Sequence, residues 1–185
     1  MNHQGTKVLH TALLTLRPFT VQDAPAMFAG WANDPEVTRY LSWTPHGDLE
    51  VTRALLTLWE EEAKQPNNYN WAIELAGELV GNISLLKVND FHERAIIGYC
   101  MGKAWWGKGI MTEALKEVLR YAFEEVGFYH LEGDHAAQNI GSGRVMEKCG
   151  LRLVGTMHGS FRMHSGERGD LVIREITRED YTAQK

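Results

Sequence analysis

The sequence predicts a mixed α/β fold in a single domain, and three observations carry that prediction. Strand-like alternation fills the middle of the chain, where Trp71, Ile73 and Leu75 lead into the turn Ala76-Gly77-Glu78 and a returning run over 79–88. A long amphipathic helix over 111–126 follows a glycine-rich loop, with Ala114, Leu115, Val118, Leu119, Ala122 and Phe123 on one face and Glu113, Lys116, Glu117, Arg120 and Glu124 on the other. The chain has 185 residues, 44% of them hydrophobic and 23% charged, which suits one soluble globular unit with a sizeable buried core.

The remaining elements follow in order. Residues 1–10 read as a loose tail, and 11–181 as one domain. Leu13, Leu14 and Leu16 before Pro18 form a first strand. Helical spacing runs over 21–33, through Ala24, Met27, Phe28 and Trp31, and again over 49–64, through Leu55, Leu58 and Trp59. Asp34-Pro35 and Thr44-Pro45-His46-Gly47-Asp48 between them are turn chemistry. Residues 95–101 are apolar on both faces, as in a central strand. After the long helix, which Gly127 stops, come a strand over 131–135, a short helix over 139–149 ended by Gly150, and closing strands over 151–156 and 170–176. Hairpins come early and crossovers late, which is the mark of a mixed sheet.

A net charge of −5 argues against a nucleic-acid surface, which would want a basic excess. Cys100 and Cys149 sit in apolar settings without ligand spacing and read as buried thiols. No histidine has metal-ligand spacing, so no metal is expected. The first residues lack an apolar signal core and no run approaches a membrane span of roughly 18 residues, so the expected compartment is cytoplasmic.

The strongest local signal is Trp105-Trp106-Gly107-Lys108-Gly109-Ile110, which runs straight into the long helix. Two glycines at this spacing remove Cβ atoms where a ligand would approach, and the helix opens with unpaired N–H groups and the positive end of its dipole. That combination suits a phosphate or pyrophosphate, although a tight turn also needs glycine.

Four segments together resemble the GNAT acetyltransferase superfamily, in its RimJ/RimL-like branch. They are Leu16-Arg17-Pro18-Phe19, Ile97-Gly98-Tyr99, the stretch from Trp105 to Ala114, and Asn139-Ile140-Gly141-Ser142 continuing through Cys149-Gly150. The resemblance implies a mostly antiparallel, splayed sheet of seven strands flanked by about four helices. It also implies acetyl-CoA as co-substrate and direct transfer to a primary amine, either a protein N-terminal α-amine or a small amine. The pantetheine arm would lie between the strand of Tyr99 and that of Leu131, pairing with the backbone of Cys100, Met101 and Gly102. Its pyrophosphate would meet the N–H groups of Gly107, Lys108, Gly109, Met111 and Thr112. Ser142 would protonate the leaving thiolate, Asn139 would help hold the pantetheine, and the N–H of Cys100 or Met101 would serve the oxyanion. Against this stand plainer readings: Asn139 is a good helix N-cap, Ser142 an ordinary first-turn residue, and Lys108 a solvated lysine.

Two positions depart from the family pattern. Ala104 stands where members often have Arg or Gln, and Ile96 where many have a glutamate base. Glu74, Glu93, Glu132 and Asp134 lie on nearby strands, but none matches. A missing base leans towards an acceptor of low pKa, and it also leaves open a non-catalytic acyl-CoA-binding module. Tyr40, Trp43 and Trp71 are the candidates for the acceptor wall, or else aromatic caps on the core. Neither a nucleic acid nor a membrane is expected as partner; a homodimer is compatible with the resemblance.

Overall fold

In the computed structural model, which describes residues 1–185, period-two alternation builds one eight-stranded sheet. The strands are β1 (Leu9–His10), β2 (Leu14–Pro18), β3 (Tyr69–Leu75), β4 (Glu78–Asn89), β5 (Arg94–Met101), β6 (His130–Ala136), β7 (Arg152–Arg162) and β8 (Arg168–Thr177). Their order is β1-β2-β3-β4-β5-β6-β8-β7, antiparallel throughout except for the parallel pair β5–β6. Six helices flank it: α1 (Ala24–Met27), α2 (Pro35–Thr38), α3 (Leu49–Glu62), α4 (Ile110–Arg120), α5 (Ile140–Lys148) and α6 (Arg178–Ala183).

The class is as predicted, while the counts rise from seven strands to eight and from about four helices to six. The extra strand lies in the segment expected to be a loose tail. Leu9 is buried in the core and pairs with Leu16, Gly5 N–H donates to Pro66 O at 2.7 Å, and Thr6 Oγ1 donates to Asn68 O at 3.0 Å. Two adjacent apolar residues, Val8 exposed and Leu9 buried, carry no readable period, so only the pairing reveals this strand. The two extra helices are short and capped. Asp34 accepts from Glu36 N–H with Pro35 in the first turn, and Thr177 and Asp180 close a reciprocal capping box.

The segment 21–33 is not one α-helix. A 3-10 turn (Val21–Asp23) precedes α1 and a π-helical turn (Phe28–Ala32) follows it. Pro25 fits only the first turn of a helix, which fixes where α1 begins. The 111–126 expectation holds: α4 runs on through a π-helical turn (Tyr121–Val126) and stops at Gly127, whose φ is +89°. β7 and β8 form a longer hairpin than expected, and β7 is largely exposed, so its sequence has no buried face to announce.

Two apolar layers enclose the sheet. On one face α4 and α5 pack over Leu16, Trp71, Ile83, Ile97 and Leu131. On the other, α1 and α3 pack with Phe19, Trp31, Ala72 and Cys100. β3 and β5 are both buried against the two layers, and β5 carries the candidate site. No helix is long and apolar enough to cross a membrane.

Candidate active site

The parallel pairing of β5 with β6 ends at Ile97 and Gly133. Beyond that rung β5 continues against β4 as far as Met101, whereas β6 continues against β8 as far as Ala136. The two strands therefore part, and one edge of β5 is left facing a wedge-shaped gap. Backbone direction alternates along a strand, and Gly102 N–H donates to Val80 O on the β4 side at 3.0 Å. By that parity Cys100 also turns its peptide groups to β4, while Tyr99 and Met101 turn theirs to the gap. Of the residues expected to serve the oxyanion or pair with the pantetheine, Met101 thus faces the gap, while Cys100 and Gly102 face β4. The Met101 carbonyl already accepts from the Trp106 indole N–H at 2.8 Å.

A cavity of about 410 Å³ occupies the gap. Tyr99, Cys100 and Met101 form its floor, Trp106, Gly107 and Met111 one wall, and Asn139, Ile140, Gly141, Ser142 and Val145 the facing wall. Glu36, Val37, Tyr40 and Leu41, from α2 and the turn after it, close the remaining side. Glu36 also pairs with Lys103 at the end of β5, tying this wall to the floor.

At the α4 side, every backbone N–H from Gly107 to Thr112 lacks an acceptor within the protein; the next one, Glu113 N–H, donates to Gly109 O. No side chain caps this helix. Gly107 and Gly109 have φ of +74° and +81°, and a Cβ built at either would meet no protein atom within 4 Å. Glycine is needed here for the left-handed backbone, and the space in front is open. A row of unpaired N–H groups at a helix start, facing free space, fits a pyrophosphate. Lys108 reaches back over the Trp105 ring at 4.7 Å and does not line the cavity.

The α5 side is built differently. Asn139 Oδ1 accepts from Ser142 N–H at 3.3 Å, so the N-cap reading is correct, and Asn139 still lines the cavity. The Tyr99 hydroxyl donates to Ser142 O at 2.8 Å and lies 3.0 Å from Ser142 Oγ. Burial pushes the Tyr99 phenol well above its usual range, with the Ser142 contact opposing. The two glycines beside Ser142 have separate reasons. Gly143 backs onto the His135 ring, which a Cβ would strike at 2.6 Å, whereas Gly141 faces the open cavity.

Both thiols are unactivated: burial pushes Cys100 and Cys149 up to about 12. Among the carboxylates, Glu74 is held by Arg17 at 2.7 Å, and Glu93 lies 3.9 Å from Arg178 at the far end of β5. Glu132 stands on the same rung as Ile96. Asp134, one alternation further along β6, has its carboxyl raised by burial and then by Glu132. No group of three or more His, Cys, Asp or Glu side chains converges on one point.

Two acceptor candidates move. Trp71 is fully buried in the core, where its indole N–H donates to Lys7 O at 2.6 Å, because an inward rung of β3 faces α4 rather than the cleft. The Trp43 ring lies tilted against His46 at 5.0 Å and its carbonyl accepts from His164 at 2.9 Å, outside the cavity wall. Tyr40 remains. The sequence reading missed Tyr99 as a partner of Ser142, and it missed α2, which Asp34-Pro35 does signal as an N-cap followed by proline.

The sequence model of the acetyltransferase (GNAT) domain matches residues 14–152. The chain belongs to the GNAT acetyltransferases. It is 25% identical over 177 residues to the uncharacterized N-acetyltransferase p20 of Bacillus licheniformis, covering 95% of this chain and 98% of that one. The [ribosomal protein uS5]-alanine N-acetyltransferase of Escherichia coli is 28% identical over 103 residues, 56% of this chain and 52% of that one. A GNAT-family acetyltransferase of Bacillus anthracis has a crystal structure that superposes with a TM-score of 0.81 at 26% identity, covering 94% and 99% of the two chains. This GNAT protein is thus an N-acetyltransferase of a family that takes its acetyl group from acetyl-CoA, with ribosomal-protein acetyltransferases among its relatives.

Proposed function

We propose that this GNAT protein moves the acetyl group of acetyl-CoA to a primary amine by direct attack, with both substrates bound at once. The acceptor is a small amine or a protein N-terminal α-amine, and no acetyl group passes through the protein. The observation that carries this reading is the gap between β5 and β6, with an uncapped helix start at one end and Ser142 on its wall. The unpaired N–H groups from Gly107 to Thr112 hold the pyrophosphate. The free edge at Tyr99 pairs with the extended amides of the pantetheine, as a short added strand would. Met101 N–H donates to the oxyanion as the amine attacks, and Ser142 gives its proton to the departing sulfur. A covalent route through Cys100 has no support, because a thiol near 12 is almost wholly protonated at neutral pH.

The acceptor follows from Ile96. Without a carboxylate at that position, the amine must arrive largely through its own ionisation. An α-amine, with a pKa of about 8, is roughly one-tenth free base at pH 7, whereas a lysine side chain near 10.4 is almost entirely charged. The test is thiol release from acetyl-CoA with alanyl peptides, spermidine, amino acids and aminoglycosides. Rate profiles against pH for two acceptors whose pKa values differ by about two units should shift with the acceptor. An inflection near pH 6–7 that stays put, and is lost in Glu132→Gln or Asp134→Asn, would replace the baseless route with a carboxylate base. Binding of acetyl-CoA without turnover on any amine would instead leave a non-catalytic acyl-CoA-binding module.

A further inference from the structure

Tyr99 is the one side chain that crosses from the floor of the gap to the wall bearing Ser142. Its hydroxyl meets two atoms of the same residue, Ser142 O at 2.8 Å and Ser142 Oγ at 3.0 Å. A phenol has one hydrogen to give. With that hydrogen on the carbonyl oxygen, the Ser142 hydroxyl donates to the Tyr99 oxygen, and its proton is held along a known direction. Burial keeps the Tyr99 phenol protonated across the physiological range, so it is a permanent donor.

A serine alone is a poor acid, because giving up its proton leaves charge on oxygen in a partly dry wall. We infer that Tyr99 is a positioning residue for Ser142, orienting its hydroxyl before reaction and donating to its oxygen as the proton leaves. The inference rests on Ser142 being the proton donor. In the step concerned, the carbon–sulfur bond breaks with its electron pair on sulfur, and sulfur takes the Ser142 Oγ proton. The Ser142 oxygen keeps that bond's electron pair until the proton shed by the acceptor nitrogen reaches it through solvent. The Tyr99 hydrogen turns from Ser142 O to Ser142 Oγ, which frees the Ser142 proton from the Tyr99 oxygen to turn to sulfur. Both acceptors are already within reach of one O–H, so no heavy atom needs to move.

Tyr99→Phe keeps the ring and its packing and removes only the hydroxyl. The experiment is a double-mutant cycle with Ser142→Ala, following thiol release from acetyl-CoA with spermidine or an alanyl peptide, whichever turns over in the parent. Tyr99→Phe should lower kcat about 10- to 100-fold, the scale of a lost hydrogen bond to a charged group. The acetyl-CoA affinity, read by calorimetry, should stay within about threefold. In the Ser142→Ala background the same change should cost less than about twofold, since Tyr99 then has no hydroxyl to orient. An equal loss of kcat in both backgrounds, or a loss of acetyl-CoA affinity that accounts for the whole effect, overturns the role of Tyr99 while leaving the transferase reading intact. A parent that turns over but is unaffected by Ser142→Ala removes Ser142 as donor, and Tyr99 with it. A parent inert towards every amine fails at the earlier step, in the assigned reaction itself.

Discussion

Two helix starts face each other across the same cavity, and they are finished in opposite ways. α4 begins on Gly109 with no cap, and six consecutive N–H groups from Gly107 to Thr112 find no acceptor in the protein. α5 begins on Asn139, whose side chain accepts from Ser142 N–H, and Tyr99 fastens the same turn to β5. Unsatisfied helix N–H groups ordinarily recruit a cap, because each is a donor facing a weak partner. Leaving them open at α4 costs stability in the free protein and leaves the dipole end free to meet an anion. At α5 the Asn139 cap takes the Ser142 N–H and leaves those of Ile140 and Gly141 without an acceptor, so part of that capacity goes into fixing the turn that carries the Ser142 hydroxyl. Under the proposed function, one helix start binds and the other holds.

The comparison breaks most readily at α4. Gly109→Val puts a β-branched side chain at a φ of +81° and into the open space before the N–H row. In the parent, acetyl-CoA at 100-fold above its Kd should stabilise by about 2.7 kcal/mol, which raises Tm by roughly 5–10 °C for a chain of this size. The valine variant should lose that shift entirely in differential scanning calorimetry. A folded variant that still gains the full shift would show that α4 does not hold the ligand.

At α5 the expected damage is to rate, not binding. Ser142→Ala should lower turnover roughly 10- to 1,000-fold while acetyl-CoA affinity changes little. Equal losses in both would make Ser142 a binding residue and erase the contrast between the two ends. Removing the cap itself is milder: Asn139→Ala should cost about 1 kcal/mol, read as a fall in Tm of roughly 2–4 °C. A larger fall would mean that Asn139 supports more than the first turn. Smallest of all is Cys100→Ser, expected to keep kcat within about twofold at pH 7–9. With the thiol raised to about 12, the thiolate is absent over that window and appears only as pH climbs towards 12. Abolished turnover with unchanged acetyl-CoA binding would reopen a covalent route.

How much of this was readable from residues alone varies with the range of the interaction. The glycine loop and α4 were plain, because Gly107, Gly109 and the apolar stripe from Ala114 to Val126 act within a few turns of chain. The cap at Asn139 was legible as one of two readings of that residue. The N-terminal strand was not, because one buried leucine gives no period. Trp71 was left between the acceptor wall and the core for a related reason: alternation reveals that a strand has two faces but not which face meets the cleft. Its indole turned inward onto Lys7 O.

The sequence by itself therefore determined the class of fold, the order of its elements, the uncapped helix start and the resemblance of its motifs, since local propensity and short-range hydrogen bonding specify all of these. Only the tertiary structure decided where β5 and β6 part, that Met101 and not Cys100 turns its N–H to the gap, and that Tyr99 reaches Ser142 across 43 positions of chain. Those outcomes depend on strand register and on contacts between distant segments. A shift of one residue in that register would turn the Met101 N–H to β4 and take the Tyr99 side chain off the face that meets Ser142.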